Sequence, residues 1–438
     1  MRDLDELFAT LDRVPAPQLR ERIRSSQAHV EPPIPPLGSA RSRKIGTIAV
    51  ALLIFLLPAL YAWQSTTRGQ PSPSAAPVAA DPLSSIAKGW TELPLPPEPA
   101  SGTSSVWTGT QLISWGGHVT DGASRADSYP ATGYAYDPSS NTWSPIPSAP
   151  AGRADTIPIW TGSEALFLFG DDSSKGYTDG FAFDPSTDSW RTVPSAPIDP
   201  YVMTAVWTGT EVIAWGSRSR NGNSSAVGAI YDPSTDRWQR IANAPINLNA
   251  ATSVWTGSHM IVFGSLLDNG NHAATDTAIG ATYDPATDTW NELPPSELSP
   301  QATSAAWTGD RLLAWDYITH SQTFNPNNDT WADMVKMPLE PSECYPDSAA
   351  LTGSVFAFYC GEAALYDEAS GTWKPVHGGM LDATVDSHGS PTTLWRFAEL
   401  TPAGEVVFFQ AEGITVSDNG TPCYGCSGSP MSSWVYRP

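Results

Sequence analysis

Six times between Tyr136 and Trp373 an aromatic residue is followed seven positions later by tryptophan, with a turn-forming dipeptide just after the aromatic. The copies are Tyr136-Asp137-Pro138 to Trp143, Phe183-Asp184-Pro185 to Trp190, Tyr231-Asp232-Pro233 to Trp238, Tyr283-Asp284-Pro285 to Trp290, Phe324-Asn325-Pro326 to Trp331 and Tyr366-Asp367-Glu368 to Trp373. Successive tryptophans lie 47, 48, 52, 41 and 42 residues apart. A repeat of this period is one supersecondary unit that cannot bury its own faces and must stack on its neighbours.

A second motif alternates with the first: Trp107-Thr108-Gly109, Trp160-Thr161-Gly162, Trp207-Thr208-Gly209, Trp255-Thr256-Gly257 and Trp307-Thr308-Gly309. Leu351-Thr352-Gly353 is a sixth copy and Leu400-Thr401-Pro402-Ala403-Gly404 a stretched seventh. An apolar run follows each, such as Leu112-Ile113-Ser114-Trp115. Thr-Gly between two apolar runs reads as a tight hairpin turn, since glycine takes positive φ without a steric penalty. Asp-Pro opens a second turn, because proline presets φ and the carboxylate caps the turn backbone. Each repeat is thus four antiparallel strands, a to d, and the fold class is all-β, a β-propeller. In this reading the tryptophans serve packing between units, and the recurring aspartates serve turn capping.

Seven a–b hairpins stand against six aromatic-to-tryptophan units. The missing strand d lies at the N-terminal end: Gly89-Trp90-Thr91-Glu92-Leu93-Pro94 matches Thr289-Trp290-Asn291-Glu292-Leu293-Pro294. Trp434-Val435-Tyr436-Arg437-Pro438 reads as a strand c that ends just before its turn. The expectation is a seven-bladed propeller whose N-terminal strand completes the C-terminal blade and removes an open edge. Ile414 to Val416 is the alternative third strand of that blade.

Tyr-x6-Trp, a period near 50 and a second strand ending in Gly116-Gly117 resemble the kelch repeat across Gly89–Pro438. Elsewhere the double glycine is degenerate: Phe169-Gly170, Trp215-Gly216, Phe263-Gly264, Trp315-Asp316. The chain is in this respect similar to galactose-oxidase-like propellers. That resemblance implies a copper site of two His, two Tyr and a Cys-linked Tyr. His118, His259, His272, His320, His377 and His388 are scattered over different repeats, so no catalytic residue carries over.

Upstream, Ile45 to Trp63 carries no charged residue. At about 1.5 Å rise per residue such a helix spans a bilayer core of about 30 Å. Tyr61 and Trp63 sit at an interfacial belt, and Arg41, Arg43 and Lys44 flank the other end. The positive-inside rule puts Met1 in the cytoplasm and the propeller outside, on the cell membrane as a single-pass protein. The 44 residues before the run favour an uncleaved anchor over a cleaved signal peptide. Residues 1–44 have eight Lys/Arg against six Asp/Glu, whereas 82–438 have fourteen against thirty-eight. An ectodomain this acidic excludes nucleic acid as a partner, which needs clustered cations.

The tail 1–44 shows a Leu4, Leu7, Phe8, Leu11 stripe of a short helix, so residues 1–25 are a candidate dock for a cytoplasmic protein. It loosely resembles the cytoplasmic ends of actinobacterial single-pass proteins, some of them anti-sigma factors. Residues 64–87, rich in Pro, Ser and Ala, read as a spacer before the propeller at 88–438.

The cysteines, Cys344, Cys360, Cys423 and Cys426, all follow the apolar run. In an oxidising compartment they are expected as disulfides, Cys344–Cys360 and Cys423–Cys426 among three possible pairings. Cys423-Tyr424-Gly425-Cys426 as a redox pair lacks the βαβ context, and no second CxxC or His pair supports zinc. Surplus acid such as Asp171-Asp172 and Asp268 is a calcium candidate or a solvated surface. No catalytic residue, metal site or cofactor is expected.

Propellers bind with the loops of one face. The long b–c connections are 118–128, 171–179, 217–225, 266–277 and 412–432. Ahead of the a strands, near the channel mouth, sit Arg153, Asp155, Tyr201, Asn249, Gln301 and Arg396, the candidate binding rim. The expected function is a non-enzymatic extracytoplasmic binding module for a cell-surface protein or glycan. A carbohydrate-active enzyme on the same scaffold and a transmembrane regulator with an anti-sigma-like tail are the alternatives.

Overall fold

The computed structural model describes residue 83 and residues 86–437, apart from 121–126, 199–203, 221–222, 249, 266–276, 301–303, 317–318, 340–346, 352–353, 360–361, 378–392, 401–406, 417–421 and 425–430. The apolar run 45–63, the tail and most of the spacer lie outside these residues. Among the described residues no helix is long and apolar enough to cross a membrane.

The described chain is all-β. Seven antiparallel sheets of four or five strands follow one another in sequence, an arrangement compatible with a β-propeller. Sheet 1 is Ser104–Trp107, Leu112–Trp115, Gly133–Asp137 and Thr142–Ile146, paired in that order. Sheets 2 to 6 repeat the order from Ile157–Trp160, Thr204–Trp207, Ala250–Trp255, Ser304–Trp307 and Asp347–Leu351 onward. Sheet 7 takes Thr393–Leu400, Val407–Val416 and Met431–Arg437 from the C-terminal end and Gly89–Leu93 as its outermost strand. Ile414–Val416 therefore belongs to the second strand, where it pairs with Pro422–Tyr424, and Met431–Arg437 is the third.

Each first strand touches the first strand of the next sheet, and Thr393–Leu400 touches Ser104–Trp107, so the chain of contacts closes on itself. The turns explain the repeat. Gly109, Gly162, Gly209, Gly257 and Gly309 have φ between 97° and 103°, where a Cβ is strained. The preceding threonine fixes the turn: Thr108 Oγ1 accepts the Gln111 N–H at 3.1 Å and donates to the Gln111 carbonyl at 3.0 Å. In the Asp-Pro turns, Asp137 Oδ1 accepts from the Ser139 amide at 2.8 Å and hydroxyl at 2.7 Å. Those hydrogen bonds hold the Asp137, Asp184, Asp232 and Asp284 carboxyls below the usual range.

The fourth-strand tryptophan recurs in up to three contacts. It lies opposite the third-strand aromatic of its own sheet, with ring centroids 5.0–5.2 Å apart in sheets 1 to 6. It meets a second-strand aromatic of the preceding sheet, as in Trp115–Trp190 at 5.5 Å and Phe263–Trp331 at 5.4 Å. Its indole N–H crosses to a carbonyl four residues past the preceding sheet's own tryptophan: Trp190 to Pro147 at 2.7 Å, Trp238 to Pro194 at 2.9 Å, Trp290 to Ala242 at 2.9 Å, Trp331 to Pro294 at 2.8 Å.

Trp90 occupies the same place in sheet 7. It pairs in register with Tyr436, 4.9 Å between rings, and meets Phe356 of sheet 6 at 6.1 Å. Trp143 of sheet 1 donates to the Pro94 carbonyl at 2.7 Å, four residues past Trp90. The covalent turn of the other sheets is replaced by Arg437, whose guanidinium donates to the carbonyls of Leu83 and Ile86, both at 3.0 Å. Leu83 and Ile86 are buried with Leu93, Val435, Trp107 and Tyr136, which joins the two ends of the sheet series.

Two connections differ from expectation. Residues 217–220 and 223–225 continue a long hairpin, Val212–Arg220 on Asn223–Asp232, in unbroken register from Val212 opposite Tyr231 to Arg220 opposite Asn223. In sheet 5 the fourth strand is broken into Thr330–Trp331 and Val335–Lys336. There Trp373 donates to Ser321 Oγ at 2.9 Å, and Ser321 donates to the Val335 carbonyl at 3.2 Å, so the same link is made through a relay.

Two outcomes follow. Trp90→Ala in the full chain lowers unfolding stability by about 3 kcal/mol, the low end for tryptophan deletion because the ring is only partly buried, read from urea unfolding. Burial, aided by Asp137, pushes the Tyr136 hydroxyl up to about 12, and burial with the Asp236 hydrogen bond does the same for Tyr231. Raised values mean stability that is complete below the ordinary tyrosine pKa of about 10 and is lost as pH climbs from there to about 12. Unfolding midpoints scanned over pH 9–12 are expected to fall in that window, and less steeply in Tyr231→Phe.

Candidate functional site

Second-to-third strand connections and the segments entering each first strand gather at one end of the sheets; the Thr-Gly and Asp-Pro turns gather at the other. At the first end the entering segment passes under the end of the second strand. Gly117 N–H donates to the Arg153 carbonyl at 2.8 Å. A Cβ on Gly116 would stand 2.4 Å from that carbonyl, and one on Gly117 2.6 Å from the Ser101 carbonyl. The double glycine is thus a requirement of close backbone approach. In sheet 5 Asp316 takes this place: its buried carboxylate accepts the amides of Ser299 at 2.8 Å and His320 at 2.9 Å.

Of the rim residues, Arg153 and Asp155 have described side chains. Tyr201, Asn249 and Gln301 lie outside the described residues, and Arg396 is placed only by its backbone, opposite Gln410. Asp155 is exposed beside Gly102, its backbone in the left-handed region at φ 52°. Arg153 is 3% exposed. Its guanidinium pairs with Asp179 at 2.9 Å and donates to the Phe169 and Asp179 carbonyls, each at 3.2 Å. It lies 3.9 Å from the Tyr177 ring and 4.5 Å from the Phe181 ring. Arg153 therefore secures connection 169–179 to the entering segment, and Asp155 is the described residue that faces water.

Asp172 is likewise engaged. Its Oδ1 accepts from the Ser174 hydroxyl and from the amides of Ser174 and Lys175, and its Oδ2 accepts the Tyr177 hydroxyl at 2.7 Å. These bonds, Ser174 first, hold it well below the ordinary carboxylate range. Asp268 and the cysteines Cys344, Cys360 and Cys426 lie outside the described residues; Cys423 is placed by its backbone opposite Thr415. Among the described residues no three His, Cys, Asp or Glu side chains converge as a metal site.

The turn end carries a feature that motif reading missed. A cavity of about 430 Å³ opens between sheets 4 and 5, lined by His259, Thr282, Trp307, Asp310, Asn327 and Asp329 among others. That volume falls in the usual range for ligand pockets, about 300–1,000 Å³. In the matching groove between sheets 2 and 3 the space is filled by Arg191. Its Nε and Nη2 donate to Glu164 at 2.7 and 2.6 Å, and its Nη1 to Asp236 at 3.0 Å and to the Tyr231 hydroxyl at 3.2 Å. The signal was present in the repeat: Asn291, His259 and Phe324 stand where Arg191, Glu164 and Tyr231 stand.

If Arg153 is structural, Arg153→Ala costs about 3 kcal/mol of stability, the low end for breaking a buried pair because Asp179 is partly in water. A variant binding some surface ligand less well at unchanged urea midpoint would return Arg153 to the rim. Comparison with known proteins finds no matching family model and no matching curated protein.

Proposed function

We propose that the chain is a membrane-anchored, extracytoplasmic, seven-bladed kelch-like propeller that acts as a non-enzymatic binding module for a cell-surface protein or glycan. Seven register-equivalent aromatic–tryptophan pairs, the last shared between Tyr436 and Trp90, support the blade count. The uncharged run 45–63 and its basic N-terminal flank support the anchor and its orientation.

The observation that carries the binding reading is how variation is distributed. At one end, turns are fixed by repeated Thr and Asp hydrogen bonds. At the other, connections between second and third strands range in length from the two residues between Tyr359 and Glu362 to 116–132, which holds its own strand pair, Val119–Thr120 with Asp127–Ser128. A rigid scaffold with unequal loops on one end is the arrangement that serves recognition. The acidic ectodomain favours basic or neutral ligands over polyanions.

The test is a screen of the detergent-solubilised full chain against surface glycans and purified cell-surface proteins, with metal analysis of the same sample. Saturable binding that is lost when 119–128 is replaced by a short turn is the expected outcome. Stoichiometric copper together with alcohol oxidation would overturn the non-enzymatic reading.

A further inference from the structure

The cavity between sheets 4 and 5 has an internal counterpart that says what fits it. In the groove between sheets 2 and 3, Asp236, in the left-handed region at φ 54°, receives a guanidinium from Arg191 and a hydroxyl from Tyr231. Asp329 holds the same turn position at φ 53°, but its third-strand aromatic is Phe324, which has no hydroxyl. Asn291, opposite Thr282 in the cavity wall, stands in the register of Arg191, which lies opposite Ala182, and is too short to fill the space. No side chain among the described residues donates to the Asp329 carboxylate. Asp310 adds a second carboxylate, loosely engaged by Thr308 Oγ1 at 3.2 Å and Arg311 at 3.5 Å. His259, bonded through Nδ1 to Ser258 Oγ at 2.8 Å, replaces Glu164, and the half-buried Trp307 indole forms a wall.

We infer that this cavity receives an arginine side chain of a protein partner, seated as Arg191 is seated in the groove between sheets 2 and 3. A guanidinium suits the set: it is planar, forks onto carboxylates and stacks on aromatic faces. The chain itself stacks one in this way, Arg153 between Tyr177 and Phe181. The net charge of −22 draws cations to the surface. The inference rests on the binding-module reading for the kind of partner, and adds a site at the end opposite the variable connections.

The probe is acetyl-Gly-Arg-Gly-amide, titrated into the full chain in detergent by ligand-observed saturation transfer, with the neutral isostere acetyl-Gly-citrulline-Gly-amide as control. The arginine peptide is expected to bind at least about tenfold tighter than the citrulline peptide. Asp329→Asn keeps the turn, since asparagine tolerates positive φ, and weakens arginine binding by about three- to tenfold. The double substitution His259→Glu, Asn291→Arg rebuilds the sheet 2–3 groove, so it abolishes binding and raises the thermal midpoint. Equal affinity for the two peptides, no binding up to about 10 mM (a Kd at which association is worth less than about 3 kcal/mol), or unchanged arginine binding in Asp329→Asn would each overturn the site. These failures leave the surface screen unaffected, because that screen reads the connections at the other end.

Discussion

Everything in the described fold depends on what the fourth-strand tryptophan does. One four-stranded repeat cannot bury both of its apolar faces and must stack on its neighbours. The indole satisfies several needs together. It covers its own sheet through the third-strand aromatic, fills the gap toward the preceding sheet, and hands its N–H to that sheet's backbone. The hydrogen bond contributes only about 1 kcal/mol net, yet it selects a single seating for a ring that buries about 150–250 Å². Repeated from sheet to sheet, the same seating sets the rotation between neighbours. Because Trp143 donates to the Pro94 carbonyl as the tryptophans of sheets 2 to 5 donate to the sheet before them, the N-terminal strand joins the contact cycle by the same kind of contact. The closing piece is therefore as specific as a covalent turn, with Arg437 reaching Leu83 and Ile86 where the peptide chain would otherwise run.

This explains which parts could be read from the sequence. The turns were legible because their chemistry is local: Thr-Gly and Asp-Pro place their donors and acceptors within three residues. Trp90 was legible because its flanking residues copy those of Trp290. Arg153 was not. A cation before a first strand looks like a rim residue, and only the fold brings Asp179 and Tyr177 of a connection, and Phe181 of the strand after it, around Arg153 from some 25 residues away. Gly116-Gly117 was recognised as a repeat feature, while its cause, backbone passing within contact distance, is visible only in three dimensions. The relay through Ser321 was also hidden, since it depends on a break in one strand and compensation in the next sheet.

The acidity of residues 82–438 has two physical components. The Asp-Pro aspartates are consumed locally, accepting amide and hydroxyl hydrogen bonds that make them parts of turns. They keep their charge but offer few free lone pairs, so the repeat copies of Asp are poor candidates for ligand contact. The remaining carboxylates differ case by case: Asp316 is buried under two amides, Asp172 is saturated by its own loop, and Asp236 is paired with Arg191. Asp329 differs from Asp236, as Asn291, His259 and Phe324 stand where Arg191, Glu164 and Tyr231 stand around Asp236.

Degeneracy of the repeat is therefore where specificity enters. If every groove carried Arg191, Glu164 and Tyr231, the turn end would be a uniform, self-satisfied surface with nothing to offer a partner. Each substitution that keeps the tryptophan seating but removes a groove-filling side chain costs little stability, because the groove pair is half in water and worth about 1 kcal/mol or less. What results is a cleft with the shape and charge that suit such a side chain. A closed series of sheets tolerates such losses one groove at a time, so binding chemistry can be introduced at the turn end without disturbing the tryptophan contacts that hold the series together.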